Sequence, residues 1–264
     1  MITGLFIIGS QKCGTTSLAQ WLNQHPDLSL CSNKEPSYFS IKFNDTKEID
    51  YHNLFHQKEE ENKLFFEAST SYTQYPFFPE VAKRIFEYNK NAKFIYIIRD
   101  PIERIKSHYR HNWIKGYTRK SFVEEVLNNP EYIYFSSYGL QLRQYLNYFP
   151  MERIYITSLE KLVSNNIEEL NNIFNFLGVK KLKNKDIVFK PKNVSSEVPQ
   201  VPYIYLYFSF IYKYFNPNIK RFFKKILSVK ANCKLNSTKD FDAILKDLLA
   251  QDKKEFKKIL KKSI

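Results

Sequence analysis

Short apolar runs alternate with amphipathic stretches along most of the chain. Leu5 to Ile8 is an apolar run ending at Gly9, the pattern of a buried parallel strand. Thr15 to Gln24 follows, with Leu18, Trp21 and Leu22 on one helical face. Lys63 to Ala68 (KLFFEA) reads as a second strand, and Phe77 to Asn89 has helical periodicity. Lys93 to Ile98 (KFIYII) is the clearest strand, and Pro101 stands where a helix begins. Phe135 to Phe149 reads as helix and Arg153 to Thr157 (RIYIT) as strand. Ile167 to Leu177 is an amphipathic helix that Gly178 closes. Strands alternating with helices predict an α/β fold, with a central parallel β-sheet covered by helices on both faces.

The pattern changes after Val179. Between Lys180 and Lys230 stand twelve Lys or Arg against two acids, Asp186 and Glu197. Within this stretch Val201 to Phe215 (VPYIYLYFSFIYKYF) is densely aromatic. It reads either as a core helix or, with Lys220, Arg221, Lys224 and Lys225, as a surface for an anionic bilayer. Phe241 to Leu260 is again helical and Lys-rich. No repeat or long linker divides the 264 residues, which are expected to form one domain. Residues 1–179 would be its α/β core, and 180–264 a basic, aromatic-rich closing region with C-terminal helices.

Charge narrows the class of partner. The formal charge is +14, from 41 Lys and Arg against 27 Asp and Glu. The expected partner is anionic: nucleic acid, an anionic membrane, or a phosphorylated or sulfated small molecule. Cys13, Cys31 and Cys233 are too few and scattered for a disulfide framework or a CxxC metal site. That cysteine usage fits a reducing compartment. The first apolar stretch is too short for a signal sequence and lacks a basic lead, so the expected location is the cytoplasm.

Glycine locates the chemistry. Only 6 of the 264 residues are Gly, and Gly4, Gly9 and Gly14 fall within the first 14 positions. Gly9-Ser10-Gln11-Lys12-Cys13-Gly14-Thr15-Thr16-Ser17 stands between a strand and a helix. A glycine-rich turn feeding a helix start is a phosphate cradle, with backbone N–H groups and the helix dipole facing the anion. The bland alternative is an ordinary polar turn. The Gly9-x4-Gly14 spacing is that of a Walker A loop, but Thr15 stands where a nucleotide triphosphatase needs its lysine. The lysine lies inside the loop instead, at Lys12. A second motif ends the KFIYII strand: Arg99-Asp100-Pro101, then Ser107 two helical turns on. Arg99 and Ser107 either hold one anion together, or Arg99 pairs with Asp100 or Glu103 at the surface. Spacing alone does not separate those readings.

Together these residues resemble a known family. FIIGSQKCGTTSLAQWL looks like the 5′-phosphosulfate loop of sulfotransferases that use 3′-phosphoadenosine 5′-phosphosulfate. IYIIRDPIERIKSHYRH looks like their 3′-phosphate motif. The resemblance runs from about Leu5 to Val179 and is nearest the glycan (heparan-sulfate-type) and related bacterial enzymes. It implies a three-layer, P-loop-like α/β fold. It also implies an enzyme that moves a sulfuryl group to a hydroxyl by in-line displacement, needs no metal, and releases 3′,5′-adenosine bisphosphate. By resemblance, Gly9, Gln11, Cys13, Gly14, Thr15, Thr16 and Ser17 would hold the 5′ end of the donor. Arg99 and Ser107 would hold its 3′-phosphate, and Lys12 would neutralise charge as sulfate leaves. Lys192 would either belong to the late basic loop that closes over the donor or to a solvated charge run.

Asn33 to Phe39 (NKEPSYF) is similar to the glycan enzymes' segment in which a glutamate is the base, which makes Glu35 the candidate. The bland reading is a solvated Lys-Glu pair. Glu67 to Tyr72 (EASTSY) resembles their acceptor-side segment, with Ala68 where some of them carry a lysine. That departure weakens the case for a polyanionic, heparan-like acceptor. The expected acceptor is a saccharide, a lipid-linked saccharide or another small alcohol, with peripheral contact to the inner face of an anionic membrane as an option. Nucleic acid is not the expected partner. His108 is expected to face away from the donor, His25 to be structural, and Cys13 to be a small residue that the loop accommodates. The competing classes are a P-loop kinase or nucleotide hydrolase, and a basic membrane- or nucleic-acid-binding module.

Overall fold

The computed structural model describes residues 3–33, 35–41, 43, 51–55, 63–189 and 239–261. The expected features at Lys192, at 201–215 and at Lys34 lie outside these residues.

Five parallel strands form the centre: β1 (Leu5–Ile7), β2 (Leu28–Leu30), β3 (Leu64–Ala68), β4 (Lys93–Ile98) and β5 (Ile154–Ser158). Their order is β2-β3-β1-β4-β5, so β1 is central, with β3 and β4 beside it. Leu5 pairs with Phe66 on one side and Lys93 on the other. Side chains alternate across the sheet. Phe6, Phe94 and Tyr96 face one core with Phe39, Tyr72, Tyr138 and Phe149. Leu5, Ile7, Ile95 and Ile97 face the other with Leu18, Leu22, Leu170 and Phe174. Both faces are covered, as the apolar runs predict.

Among the described residues the helices are α1 (Thr15–Leu22), α2 (Val81–Tyr88), α3 (Pro101–Lys115), α4 (Phe122–Asn128), α5 (Glu131–Tyr134), α6 (Tyr138–Leu146), α7 (Leu159–Ser164), α8 (Asn166–Leu177) and α9 (Lys239–Lys261). Asp100 caps α3 by accepting from the Ile102 and Glu103 amides, and Pro101 fills its first turn. Gly178 closes α8 at φ 80°. Two expected helices begin later than their periodicity suggests. Residues 77–80 are turns, because Pro79 disfavours helix at Phe78. Residues 135–137 likewise precede α6.

The α9 helix packs on the main body. Phe241, Leu245 and Leu249 join Ile102, Ile105 and Tyr109 in a third core. Asp252 accepts from the Gly139 and Leu140 amides at 2.9 and 2.7 Å, capping the start of α6. Lys106 meets Asp242 at 2.6 Å. Among the described residues no helix is long and apolar enough to cross a membrane.

Candidate active site

In parallel sheets ligands bind beyond the carboxyl ends of the strands. Here the 9–14 loop leaves β1 and Arg99 leaves β4, its neighbour. The loop is tight. A Cβ at Gly9 would fall 2.0 Å from Ile97 Cγ2 and 2.8 Å from the Ile97 carbonyl. Gly14 has φ 90°, and a Cβ there would meet Leu159 Cδ1 at 2.8 Å. Lys12 adopts φ 73°, a left-handed conformation that costs a non-glycine residue on the order of 1–3 kcal/mol. The fold maintains it because both ends of the loop are fixed. Ser10 is fully buried and donates its hydroxyl to the Phe135 carbonyl at 2.6 Å. The Cys13 amide donates to the Ser10 carbonyl at 3.1 Å. Beyond Gly14, α1 begins with amides that have no carbonyl one turn earlier in the helix, the arrangement that binds an anion.

Cys13 faces inward. It is fully buried, its Sγ 3.8 Å from the Tyr138 hydroxyl. Burial pushes the thiol up to about 12, overriding the nearby Arg104 and Arg99. Its amide is engaged within the turn, so what it supplies to the loop is its small size. Thr15 and Ser17 are buried, and Gln11, Lys12, Gly14 and Thr16 are half-buried.

Arg99 lies 3.8 Å from Glu103 Oε2, while Asp100 is occupied with its cap. Ser107 is buried on α3. The same helix carries a residue that the pattern did not single out. Arg104 is fully buried, its Nε donating to Ser136 Oγ at 2.6 Å and its Nη2 to the Tyr132 carbonyl at 3.0 Å. Its Nη1 reaches the Gln11 carbonyl at 3.5 Å. Arg104 therefore links the β1 loop, the 132–136 segment and the Arg99–Ser107 helix. A guanidinium only donates, so His108 Nδ1, 3.4 Å from both Arg104 Nη atoms, is an acceptor. That tautomer carries its proton on Nε2, which faces Glu131 Oε1 at 3.6 Å. Burial, then Arg104, His111 and Lys12, hold the imidazole well below its ordinary value, so it is neutral. His25 is structural as expected, buried against the Lys180 carbonyl at 2.7 Å.

His108 and Gln11 line a cavity of about 1050 Å³ beside the loop. Its walls carry aromatic rings (Phe77, Phe135), amides (Gln74, Asn112) and both signs of charge. Among the described residues the carboxylates on its walls are Glu124, Glu125 and Glu131, against Arg119 and Lys120. Arg119 spends hydrogen bonds on the Trp113 and Thr118 carbonyls.

Glu35 stands on the segment after β2, at φ 52°, and accepts from Thr70 Oγ1 at 3.1 Å. Thr70 opens the short 3₁₀ helix Thr70–Thr73, which leads into Gln74 and Phe77 of the cavity wall. Just ahead, Glu67 is fully buried. Tyr51 and Tyr72 hydroxyls donate to its Oε1 at 2.7 and 2.8 Å, and Ser69 Oγ donates to Oε2 at 2.8 Å. Burial raises this carboxyl from 4.5 to about 7, against the three hydrogen bonds. The folded chain therefore binds more protons than the unfolded one across that window. Glu67's contribution to stability is fully present below about 4.5 and is lost as pH rises to about 7. We expect Tm to fall over that range, and Glu67→Gln to flatten the fall. A wild-type slope retained in Glu67→Gln would assign the titration to another group.

The model of the sulfotransferase domain matches residues 3–198. Mouse heparan sulfate glucosamine 3-O-sulfotransferase 3A1 is 28% identical over 185 residues, 67% of this chain and 46% of that protein. The membrane-associated sulfotransferase kil1 of Dictyostelium discoideum is 35% identical over 117 residues, 43% of this chain and 24% of that one. The chain spans about half the length of the 3-O-sulfotransferases it matches. A solved sulfotransferase from Alicyclobacillus acidocaldarius aligns at TM-score 0.63 with 25% identity, over 72% of this chain and 87% of its own. With three quarters of its length matched and this sheet order beneath the β1 loop, the chain belongs to the sulfotransferase domain family.

Proposed function

We propose that the chain transfers a sulfuryl group from 3′-phosphoadenosine 5′-phosphosulfate to a hydroxyl of a saccharide or lipid-linked saccharide. The observation that carries this reading is the loop itself: Lys12 held at φ 73° between Gly9 and Gly14, beside Arg99 at the end of the adjacent strand. The two glycines leave backbone where side chains would stand, which suits a cradle for the donor's 5′-phosphate. Arg99 and Ser107 take the 3′-phosphate, the group that sets this donor apart from ATP. The weak Glu103 contact of Arg99 is exchanged for it.

In this reading the acceptor hydroxyl gives its proton to Glu35, and its oxygen bonds to sulfur from the side opposite the leaving group. The bond from sulfur to the bridging oxygen breaks, and the electron pair stays on that oxygen. Lys12 and the α1 amides offset the charge that develops there. The body of the acceptor occupies the cavity beside Gln11, and its reacting hydroxyl extends past Thr70 to Glu35, which does not itself line that cavity. Aromatic faces and amides suit sugar rings, and the mixed charges suit an acceptor less anionic than heparan sulfate.

The test is release of 3′,5′-adenosine bisphosphate coupled to sulfation of a neutral glycan. Glu35→Gln is expected to lower kcat by roughly 10²–10⁴ with bisphosphate binding intact. Wild-type kcat in that variant would remove Glu35 from the reaction.

A further inference from the structure

Glu67 is not among the residues that line the cavity, and its hydrogen bonds run to Tyr51, Ser69 and Tyr72. It is nonetheless a carboxyl group without solvent exposure, and a buried carboxylate persists only where donors surround it. All three donors also hold or adjoin the segment that carries Glu35. Ser69 Oγ, while donating to Glu67, accepts from the Ser37 amide at 3.0 Å. Tyr72 OH, while donating to Glu67, accepts from the Phe39 amide at 3.2 Å. Tyr51 stacks on Tyr38 with ring centroids 4.7 Å apart. Two hydroxyls extend the attachment: Ser71 Oγ donates to Ser37 Oγ at 3.1 Å and meets Ser40 Oγ at 2.6 Å.

The segment needs this fastening. Glu35 and Ser37 both lie in the left-handed region, at φ 52° and 53°, and neither is glycine. Left-handed backbone in such residues persists only where the surroundings over-determine it. Pro36, buried between them, offers no amide to bond. The Ser37 and Phe39 amides reach Glu67 through one hydroxyl each.

We propose that Glu67 is a positioning residue for the base: its ionised carboxylate orients the Ser69 and Tyr72 hydroxyls, which in turn fix the 35–39 backbone and aim Glu35. This inference rests on the reading of Glu35 as the base. A carboxylate accepts all three hydroxyl hydrogens at once. A proton on Glu67, or an amide in its place, turns one acceptor into a donor. One hydroxyl must then turn its hydrogen elsewhere, and its oxygen shifts from the position in which it accepts the Ser37 or Phe39 amide. The other titratable groups facing Glu67 are the Cys31 thiol after β2, Tyr51, Tyr72, Tyr88 of α2 and Tyr145 of α6. Burial pushes all of them upward, the Cys31 thiol to about 12, so none titrates near neutral pH. Glu67, raised to about 7, does.

The experiment compares the wild-type 264-residue chain with Glu67→Gln, Ser69→Ala and Glu35→Gln. Each is measured for kcat against pH, donor KM, and affinity for 3′,5′-adenosine bisphosphate. Misplacing a reacting group by about 1 Å costs on the order of 10²-fold. Glu67→Gln is therefore expected to lower kcat by roughly 10–100-fold with KM and bisphosphate affinity unchanged. It should also abolish an acid limb in the wild-type kcat profile centred near 7. Ser69→Ala, which leaves Glu67 and both tyrosines in place, is expected to lower kcat severalfold. It stands as the test if Glu67→Gln does not fold. Wild-type kcat in either variant overturns the proposal. So does a limb near neutrality that survives in Glu67→Gln, or a kcat loss matched by an equal loss of bisphosphate affinity. A fully active Glu35→Gln overturns the base reading and this inference together. An inactive Glu35→Gln beside a fully active Glu67→Gln overturns the inference alone.

Discussion

Replacing Lys12 by alanine is expected to lower kcat by about 10²–10³, more than it weakens binding of the bisphosphate product. The lysine's charge matters most when the bridging oxygen takes up the electron pair of the breaking bond. A preorganised cation aimed at that point stabilises the transition state more than the bound donor. The backbone supplies a second, opposite readout. Lys12 pays for φ 73° with strain that alanine keeps and glycine removes. Lys12→Gly should thus be more stable than Lys12→Ala by about 1 kcal/mol, while both lose activity alike. Equal Tm values for the two would mean that the left-handed turn stores no strain. Wild-type turnover in either would mean that the loop lysine has no part in the chemistry.

Gly9→Ala is expected to be the most damaging conservative change in the loop. The added methyl would sit 2.0 Å from a side-chain atom of Ile97 and 2.8 Å from its carbonyl oxygen, on the strand that carries Arg99. Side chains can shift, but a carbonyl in a sheet ladder cannot move without disturbing β1 or β5. Overpacking of this kind costs about 1–3 kcal/mol or more. The loop must also lift from β4, so bisphosphate affinity should fall together with Tm. Gly178→Ala is the matched control. That glycine has φ 80° but open space around its Cβ position, so the cost is the left-handed backbone alone, about 1 kcal/mol. If thermal unfolding shows equal losses for the two, the tight approach of the loop to β4 is not a constraint.

The sequence made some of this visible and concealed the rest for physical reasons. KFIYII was legible as β4 because both faces of the strand are buried, which leaves a run without polar interruption. The β1 loop was legible because the chain uses so little glycine that three in the first 14 positions stand out. β2 was missed because three residues, LSL, at the edge of the sheet carry no periodicity. α4 and α5 were hidden in the same way, with seven and four residues. Arg104 was concealed by its setting, since an arginine among Glu103, Lys106 and Arg110 on a helix reads as a solvated face. Only the fold shows it fully buried and reaching the Gln11 carbonyl. Glu67 was noted only within a resemblance. Its partners Tyr51, Ser69 and Tyr72 come from a helical turn 16 positions earlier and from the residues after β3, and no spacing rule links them. Arg99 follows the last residue of β4, and Ser107 lies on α3.

The most direct test of the proposed donor site is a thermal shift with 3′,5′-adenosine bisphosphate, set against AMP and Mg-ATP. A ligand at about 100 times its dissociation constant adds about 2.7 kcal/mol of stability. For a chain of this size that is roughly 5–10 °C. The account predicts a shift of that order with the bisphosphate, a much smaller one with AMP, and loss of the bisphosphate shift in Arg99→Ala. A shift with Mg-ATP and none with the bisphosphate would contradict it, and would make the β1 loop a triphosphate site instead.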